Sequence, residues 1–156
     1  MMTEPKVVKA SDVEWIPIEF GGKDGDAGTW VTLFGGPLAQ FKDFSKGVIM
    51  GVCRVNPGYA AHRWHGHEVD AVTEATEPFD IVYPEGFEEI YHIASGTGIA
   101  QWKTKDGEVR EEKVGAGDTV FFPRDTTKHQ VVATGTEQMI VVFMGAPADF
   151  EFRKRD

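Results

Sequence analysis

Residues 88–134 read EEIYHIASGTGIAQWKTKDGEVREEKVGAGDTVFFPRDTTKHQVVAT. The stretch divides into EEIYHIAS (88–95), GIAQWKTK (98–105), EVREEKV (108–114), DTVFFP (118–123) and HQVVAT (129–134). Each run is short and rich in β-branched or aromatic residues, and turn formers separate one run from the next. None sustains the 3.6-residue spacing of an amphipathic helix. Consecutive β-strands are therefore expected. Asp106-Gly107, between two alternating runs, predicts a two-residue type I′ hairpin turn. The second strand of that hairpin is mostly charged, so one of its faces meets water. GAGD (115–118) and PRDT (123–126) supply turn chemistry around the next strand.

The same grammar extends outward. VEWIPIEF (13–20), TWVTLFG (29–35), GVIMGVCRV (47–55), AAHRWHGH (60–67) and EQMIVVFMG (137–145) are further candidate strands. With no internal repeat and no low-complexity tract, the expectation is one all-β domain, a sandwich or barrel. Residues 47–147 would form its body, 1–46 an N-terminal arm of strands packing on it, and 148–156 a tail. The exception is EVDAVTEATEPFDIVYPEGF (68–87), an acidic insertion in which only FDIVY reads as a short strand. A connection this long in a compact domain is more often a lid or binding loop than filler.

The chain has 156 residues, 18 of them Gly and 8 Pro, a turn-rich composition that favours sheet over helix. Its formal net charge of -9 argues against nucleic acid or an anionic membrane as partner, because both need clustered Lys and Arg. Cys53 is the only cysteine, which excludes an intrachain disulfide and a cysteine zinc knuckle. The N-terminal MMTEPKVVKASDVEW lacks the apolar centre of a signal peptide and no stretch reaches membrane-span length, so a cytoplasmic protein is expected.

HRWHGH (62–67) places three histidines within six positions. Imidazoles and carboxylates bind first-row metals when a rigid scaffold makes them converge. On a regular strand His65 and His67 share a face and His62 takes the other. A bulge near 63–64 would bring His62 inward, so it stays in reserve as a ligand. Further along, alternation groups Glu89 with Tyr91 and Ile93, and Glu88 with Ile90 and His92. A Glu inside an apolar run must be paired, protonated or metal-bound. His129 opens a later strand.

These residues, within about 47–147, resemble the two motifs of the cupin superfamily. The first motif is a Gly, then His-x-His, then a Glu separated by six residues from a second Gly. Gly58, His65, His67, Glu89 and Gly96 match it, with Gly58 one position off. The second is a Gly, five residues, Pro-x-Gly and a following His, matched by Gly117, Pro123 and His129. The departures are the long spacer between His67 and Glu89, Asp125 where Gly is usual, and a His129 one residue late. The resemblance implies a double-stranded β-helix, the jelly-roll-like cupin barrel. It implies a divalent metal held by His65, His67, Glu89 and His129, with Fe2+ first and Mn2+, Ni2+ or Zn2+ as alternatives. It also selects Glu89 over Glu88.

Three histidines and a glutamate leave open positions on an octahedral ion for a small-molecule substrate, or for substrate plus dioxygen. The expected function is a metal-dependent enzyme acting on a small oxygenated organic molecule, a dioxygenase-type oxidoreductase by family analogy. His62 and Tyr91 are the candidate proton handlers. A metal-dependent isomerase or lyase on a sugar or keto acid is the second reading, and a non-catalytic binding cupin the third. Trp64 is expected in barrel packing and His92 at the surface. Gln101 is a candidate inward contact, and Cys53 a small core residue without an activating base. Glu68, Asp70, Glu74, Glu77 and Asp80 form a solvated loop face. Small barrels of this family commonly pair through N-terminal strands, so a homodimer through VEWIPIEF and TWVTLFGG is expected.

Overall fold

The computed structural model describes residues 4–19, 26–41, 45, 47–67, 72–76, 79–124, 126 and 128–154. The strands are β1 (Ile16–Pro17), β2 (Gly28–Phe34), β3 (Ile49–Val55), β4 (Val72–Thr76), β5 (Phe79–Val82), β6 (Glu88–Ser95), β7 (Thr97–Lys103), β8 (Val109–Gly115), β9 (Thr119–Phe122), β10 (His129–Thr134), β11 (Met139–Ala146) and β12 (Glu151–Lys154). The only helical element among the described residues is a 3-10 turn at Ala10–Asp12.

Two antiparallel sheets make the barrel. The larger has the order β1-β2-β3-β11-β6-β9 and the smaller the order β10-β7-β8. Between them lies a core of Trp30, Cys53, Val55, Tyr91, Ile93, Phe122, Val131, Met139 and Val141. Burial on the strands follows the two-residue period of the sequence. In β6, Glu89, Tyr91 and Ile93 are buried while Glu88 is exposed and Ile90 and His92 are half-buried. Gly96, with φ +80°, turns β6 into β7, and a Cβ there would come within 2.8 Å of the Met139 Cα. This is a jelly-roll-like barrel, all-β as the sequence predicts.

Four local expectations are corrected. AAHRWHGH is not a strand. It touches β10 only through isolated bridges at Ala60–Val132 and His65–His129, and runs irregularly between them. Gly66 and the ring stacking of the histidines leave no continuous ladder for alternation to act on. Among its described residues VEWIPIEF contributes only the two-residue β1, where Pro17 removes a donor from the ladder. The β7–β8 connection is longer than two residues. Beyond the Lys103–Val109 pair the Thr104 N–H donates to the Glu108 carbonyl at 2.8 Å, which leaves Lys105, Asp106 and Gly107 as the loop. The Gly107 N–H donates to the Thr104 carbonyl at 2.9 Å, and Gly107 has the positive φ, +82°, of the glycine that closes a three-residue hairpin loop. Finally, the insertion and the tail belong together: β5 pairs with β4 on one side and β12 on the other, a separate three-stranded sheet. The carboxylates at 68–80 lie outside the described side chains.

TWVTLFG forms β2, which pairs with β3 along Gly28–Phe34 and with the two-residue β1 on its other side.

Candidate metal centre

Glu89 stands at the inward end of β6, and its Oε2 is where three imidazoles converge. The Nε2 atoms of His129, His67 and His65 lie 2.9, 3.0 and 3.4 Å from it. All four side chains are buried and their donor atoms fall within 4.8 Å of one another. They come from three places in the fold. Strand β6 supplies Glu89 and strand β10 supplies His129. The irregular segment before the insertion supplies the other two. His65 is tied to His129 by a reciprocal backbone pair, His65 N–H to His129 O at 3.1 Å and His129 N–H to His65 O at 2.8 Å. The Phe87 N–H donates to the His67 carbonyl at 3.0 Å, so the chain leaves beyond His67 and returns beside it before β6 begins.

Packing sets the ring planes. Phe122 stacks on His129 at 3.9 Å between centroids, Phe87 lies 3.7 Å from His67, and His62 stacks on His65 at 3.8 Å. The His65 Nδ1 is 3.0 Å from the Arg63 carbonyl, which only accepts, so Nδ1 carries the proton and Nε2 presents a lone pair to the cluster. That Nε2 is buried without a hydrogen-bond partner and faces a carboxylate oxygen, two lone pairs toward each other. A cation between them removes the conflict. For metal–ligand bonds of about 2.1 Å, adjacent ligands on a tetrahedral or octahedral ion stand about 3.0–3.4 Å apart, the spacing seen around Oε2. The residues present fit a divalent ion.

The electrostatics agree. Burial would push the Glu89 carboxyl up, but the surrounding imidazoles, His67 foremost, outweigh it and hold the group well below the usual carboxylate range. Burial pushes His129 down to about 4 against the pull of Glu89, so it is a neutral imidazole. His62 is pushed down by burial and then by His65. Burial and then the Glu89 charge drive the Tyr91 hydroxyl up. Burial also drives the Cys53 thiol far up, so it is no nucleophile at neutral pH.

His62 and Tyr91 stand outside the four-donor cluster, and both line a cavity of about 60 Å³ next to it. Its walls include Trp30, Ile49, Cys53, Tyr83, Phe87 and Phe143, with Glu89 and His67 at one side. The spacing of the motifs does not reveal these wall residues. Inward parity on β2, β3 and β11 is the signal that identifies Trp30, Cys53 and Phe143.

Gln101 does not reach the cavity. It is paired across the smaller sheet with Gln130 and Glu111, while its neighbour Ala100 is buried in the core. On that outer face a relay runs inward: Gln101 Nε2 donates to Glu111 Oε2 at 3.0 Å, Gln130 Nε2 to Gln101 Oε1 at 2.7 Å, and the Trp64 N–H to Gln130 Oε1 at 3.3 Å. Trp64 is half-buried on the same side, with the Lys103 Nζ 5.1 Å from its ring, and is not core packing. The relay clips the backbone between His62 and His65, which has no strand ladder to hold it. Gln130→Leu is expected to weaken metal affinity by about tenfold, the usual cost of losing support behind a ligand. Titration with a competing chelator measures this, and unchanged affinity would remove Gln130 from the site's support.

The fold is a jelly-roll barrel in which three histidines and one glutamate are buried together, the arrangement that the resemblance of the motifs implies. No protein-family model matches the sequence, and no curated protein sequence does. Solved structures do. Oxalate decarboxylase from Bacillus subtilis superposes on 92% of this chain with a TM-score of 0.59 and 18% identity. The structure of KdgF from Halomonas sp. matches 94% of this chain and 96% of its own, with a TM-score of 0.59 and 14% identity. Recombinant oxalate oxidase in complex with glycolate matches 69% of this chain and 46% of its own, with a TM-score of 0.50 and 17% identity. This chain covers 30% of the oxalate decarboxylase chain, so it is similar to one part of that protein and to nearly the whole of KdgF.

Proposed function

We propose that the protein is a metal-dependent enzyme that oxidises a small oxygenated organic molecule with dioxygen, both oxygen atoms entering the product. A divalent ion on His65, His67, Glu89 and His129 would supply Lewis acidity and, as Fe2+, the one-electron steps dioxygen requires. The observation that carries the reading is the cavity: small, walled mainly by aromatic and aliphatic groups, and set against the donor cluster. Such walls exclude water and admit an apolar gas and a compact substrate. Tyr91 keeps its proton and can donate it in a hydrogen bond to a substrate oxygen.

Among the described lining residues there is no Lys or Arg. Relatives named for oxalate act on a dianion, whereas this cavity offers a second carboxylate no side-chain cation. A neutral or singly charged substrate, such as an enol, a diketone or a phenol, suits it better.

One observation supports the isomerase or lyase reading: His62 borders the cavity and is not among the four donors, so its imidazole would be free of the ion to act as base toward a carbonyl substrate. Protein purified without added metal, analysed for metal and then given small diketones, enols and catechols in an oxygen electrode, decides between them. Iron with substrate-dependent oxygen uptake is expected. Equal turnover without oxygen assigns the isomerase or lyase. Substrate binding without turnover in either condition leaves a binding protein.

A further inference from the structure

The segment DFEFRK (149–154) sets two phenylalanines among charged residues. Pairing of β12 with β5 puts Phe152 opposite Ile81, yet Phe152 is 56% exposed. The Phe150 and Phe152 rings meet edge to face at 5.4 Å between centroids. With Gly36, Pro37, Ala148 and Asp149 they line a second space, a groove of about 380 Å³. The groove adjoins the cavity at the donor cluster. Pro37 borders both spaces, Gly35 lines the cavity and Gly36 the groove. Ala148 of the groove packs in one buried cluster with Tyr83 and Phe87 of the cavity.

We propose that the substrate has two parts: a compact oxygenated head that sits in the cavity, and an uncharged apolar tail that passes Pro37 and lies in the groove against Phe150 and Phe152. The inference rests on the reading of the cavity as the substrate site, and not on the reaction that follows. Size is the first reason. The cavity measures about 60 Å³. An apolar cavity of roughly 150 Å³ takes one benzene, so this one holds on the order of three or four non-hydrogen atoms. So few contacts cannot by themselves give tight and selective binding. An enzyme draws the rest from parts of the substrate remote from the reacting atoms. The groove, at about 380 Å³, lies within the roughly 300–1,000 Å³ of ordinary small-molecule sites. Charge is the second reason. No Lys or Arg is among the described residues lining either space, and Asp149 is the one charged group among those of the groove. An anionic tail would meet the like charge of Asp149, so an uncharged tail suits the walls. Anchoring is the third. The β5–β12 ladder holds Phe152, and Phe150 packs against the cluster of Ile49, Tyr83, Phe87 and Ala148. The groove wall is thereby tied to residues that wall the cavity, and a tail seated there meets a fixed surface.

Binding of 1-hydroxy-2-alkanones, which carry a small enolisable two-oxygen head, tests this by calorimetry on the Fe2+-loaded full chain under nitrogen. From hydroxyacetone to 1-hydroxy-2-heptanone, affinity is expected to rise about threefold per added methylene, or about eightyfold in all. Phe152→Asp, which puts a second carboxylate on the groove, is expected to cut the whole rise below about tenfold. Lys113→Glu, on the smaller sheet, is expected to leave the rise as in the wild type. Should Phe152→Asp fail to fold, a 1-hydroxy-2-alkanone with a diazirine at the end of its tail, irradiated on the wild type, gives the answer. Attachment at residues 36–37 or 148–152 is expected, and attachment elsewhere overturns the proposal. Equal affinity at every tail length overturns it too, and leaves the reading of the cavity standing. So does a rise undiminished in Phe152→Asp. No binding of any member at roughly millimolar concentration removes the cavity as the substrate site, and the proposal with it.

Discussion

Glu89→Ala is expected to strip the protein of its metal, while Glu88→Ala, one residue away, leaves metal content at the wild-type level. The contrast follows from the pleat. Glu89 is 6% exposed with three imidazole nitrogens within 3.4 Å of one of its oxygens, whereas Glu88 is exposed on the outer face at the margin of the sheet. Losing the only anionic donor of four removes both a bond to the ion and the charge that offsets its own, so affinity should fall by more than about a hundredfold. Glu89→Gln keeps the shape and one oxygen, and should retain a fraction of the metal at best. Elemental analysis of the purified variants, with circular dichroism to confirm the β signal, is the measurement. Metal retained in Glu89→Ala, or lost in Glu88→Ala, would mean that the donor set is wrong.

The second large effect is on folding and does not involve the site's chemistry. Gly51→Ala is expected to destabilise the barrel by about 3 kcal/mol, which for a domain of this size lowers Tm by roughly 6–12 °C. Gly51 points inward from β3 beneath the Phe143 ring. A Cβ there would stand 2.2 Å from the Phe143 Cζ and 2.2 Å from the Val31 carbonyl oxygen. The ring can move, but the carbonyl is fixed by the β2–β3 ladder, so Phe143→Ala in the same chain should restore only part of the loss. Thermal unfolding of the two variants and their combination checks this. A Tm within about 2 °C of wild type for Gly51→Ala would show that the strands separate more easily than their register implies. Because Phe143 also walls the cavity, the same clash should reach the proposed substrate space before it reaches the metal donors.

Much of this architecture is legible before folding is considered. The strands 88–95 and 129–134 have the bounds that alternation and turn residues assign. Alternation also separates Glu89 from Glu88, because a two-residue period leaves no freedom once Tyr91 and Ile93 are placed inside. Motif spacing names the four donors, and the structure brings them together. The irregular segment behaves differently. His62, His65 and His67 have no ladder, so local periodicity cannot orient them. His65 is aimed by the Arg63 carbonyl, by its bridge to His129 and by the Gln130 relay. Gln101 as an inward contact and Trp64 in barrel packing are the expectations that fail. Their outward placement depends on which strand lies beside them.

The sequence alone determined the all-β class and the inward parity of β6, since these rest on local period, and its resemblance to the two motifs named the four donors that converge. Only the tertiary structure decided that the insertion pairs with the C-terminal segment and that β2 lies inside the larger sheet. Each of these is a register between segments distant in the chain. Register is set by which ladders can all close at once, and no single segment contains that information.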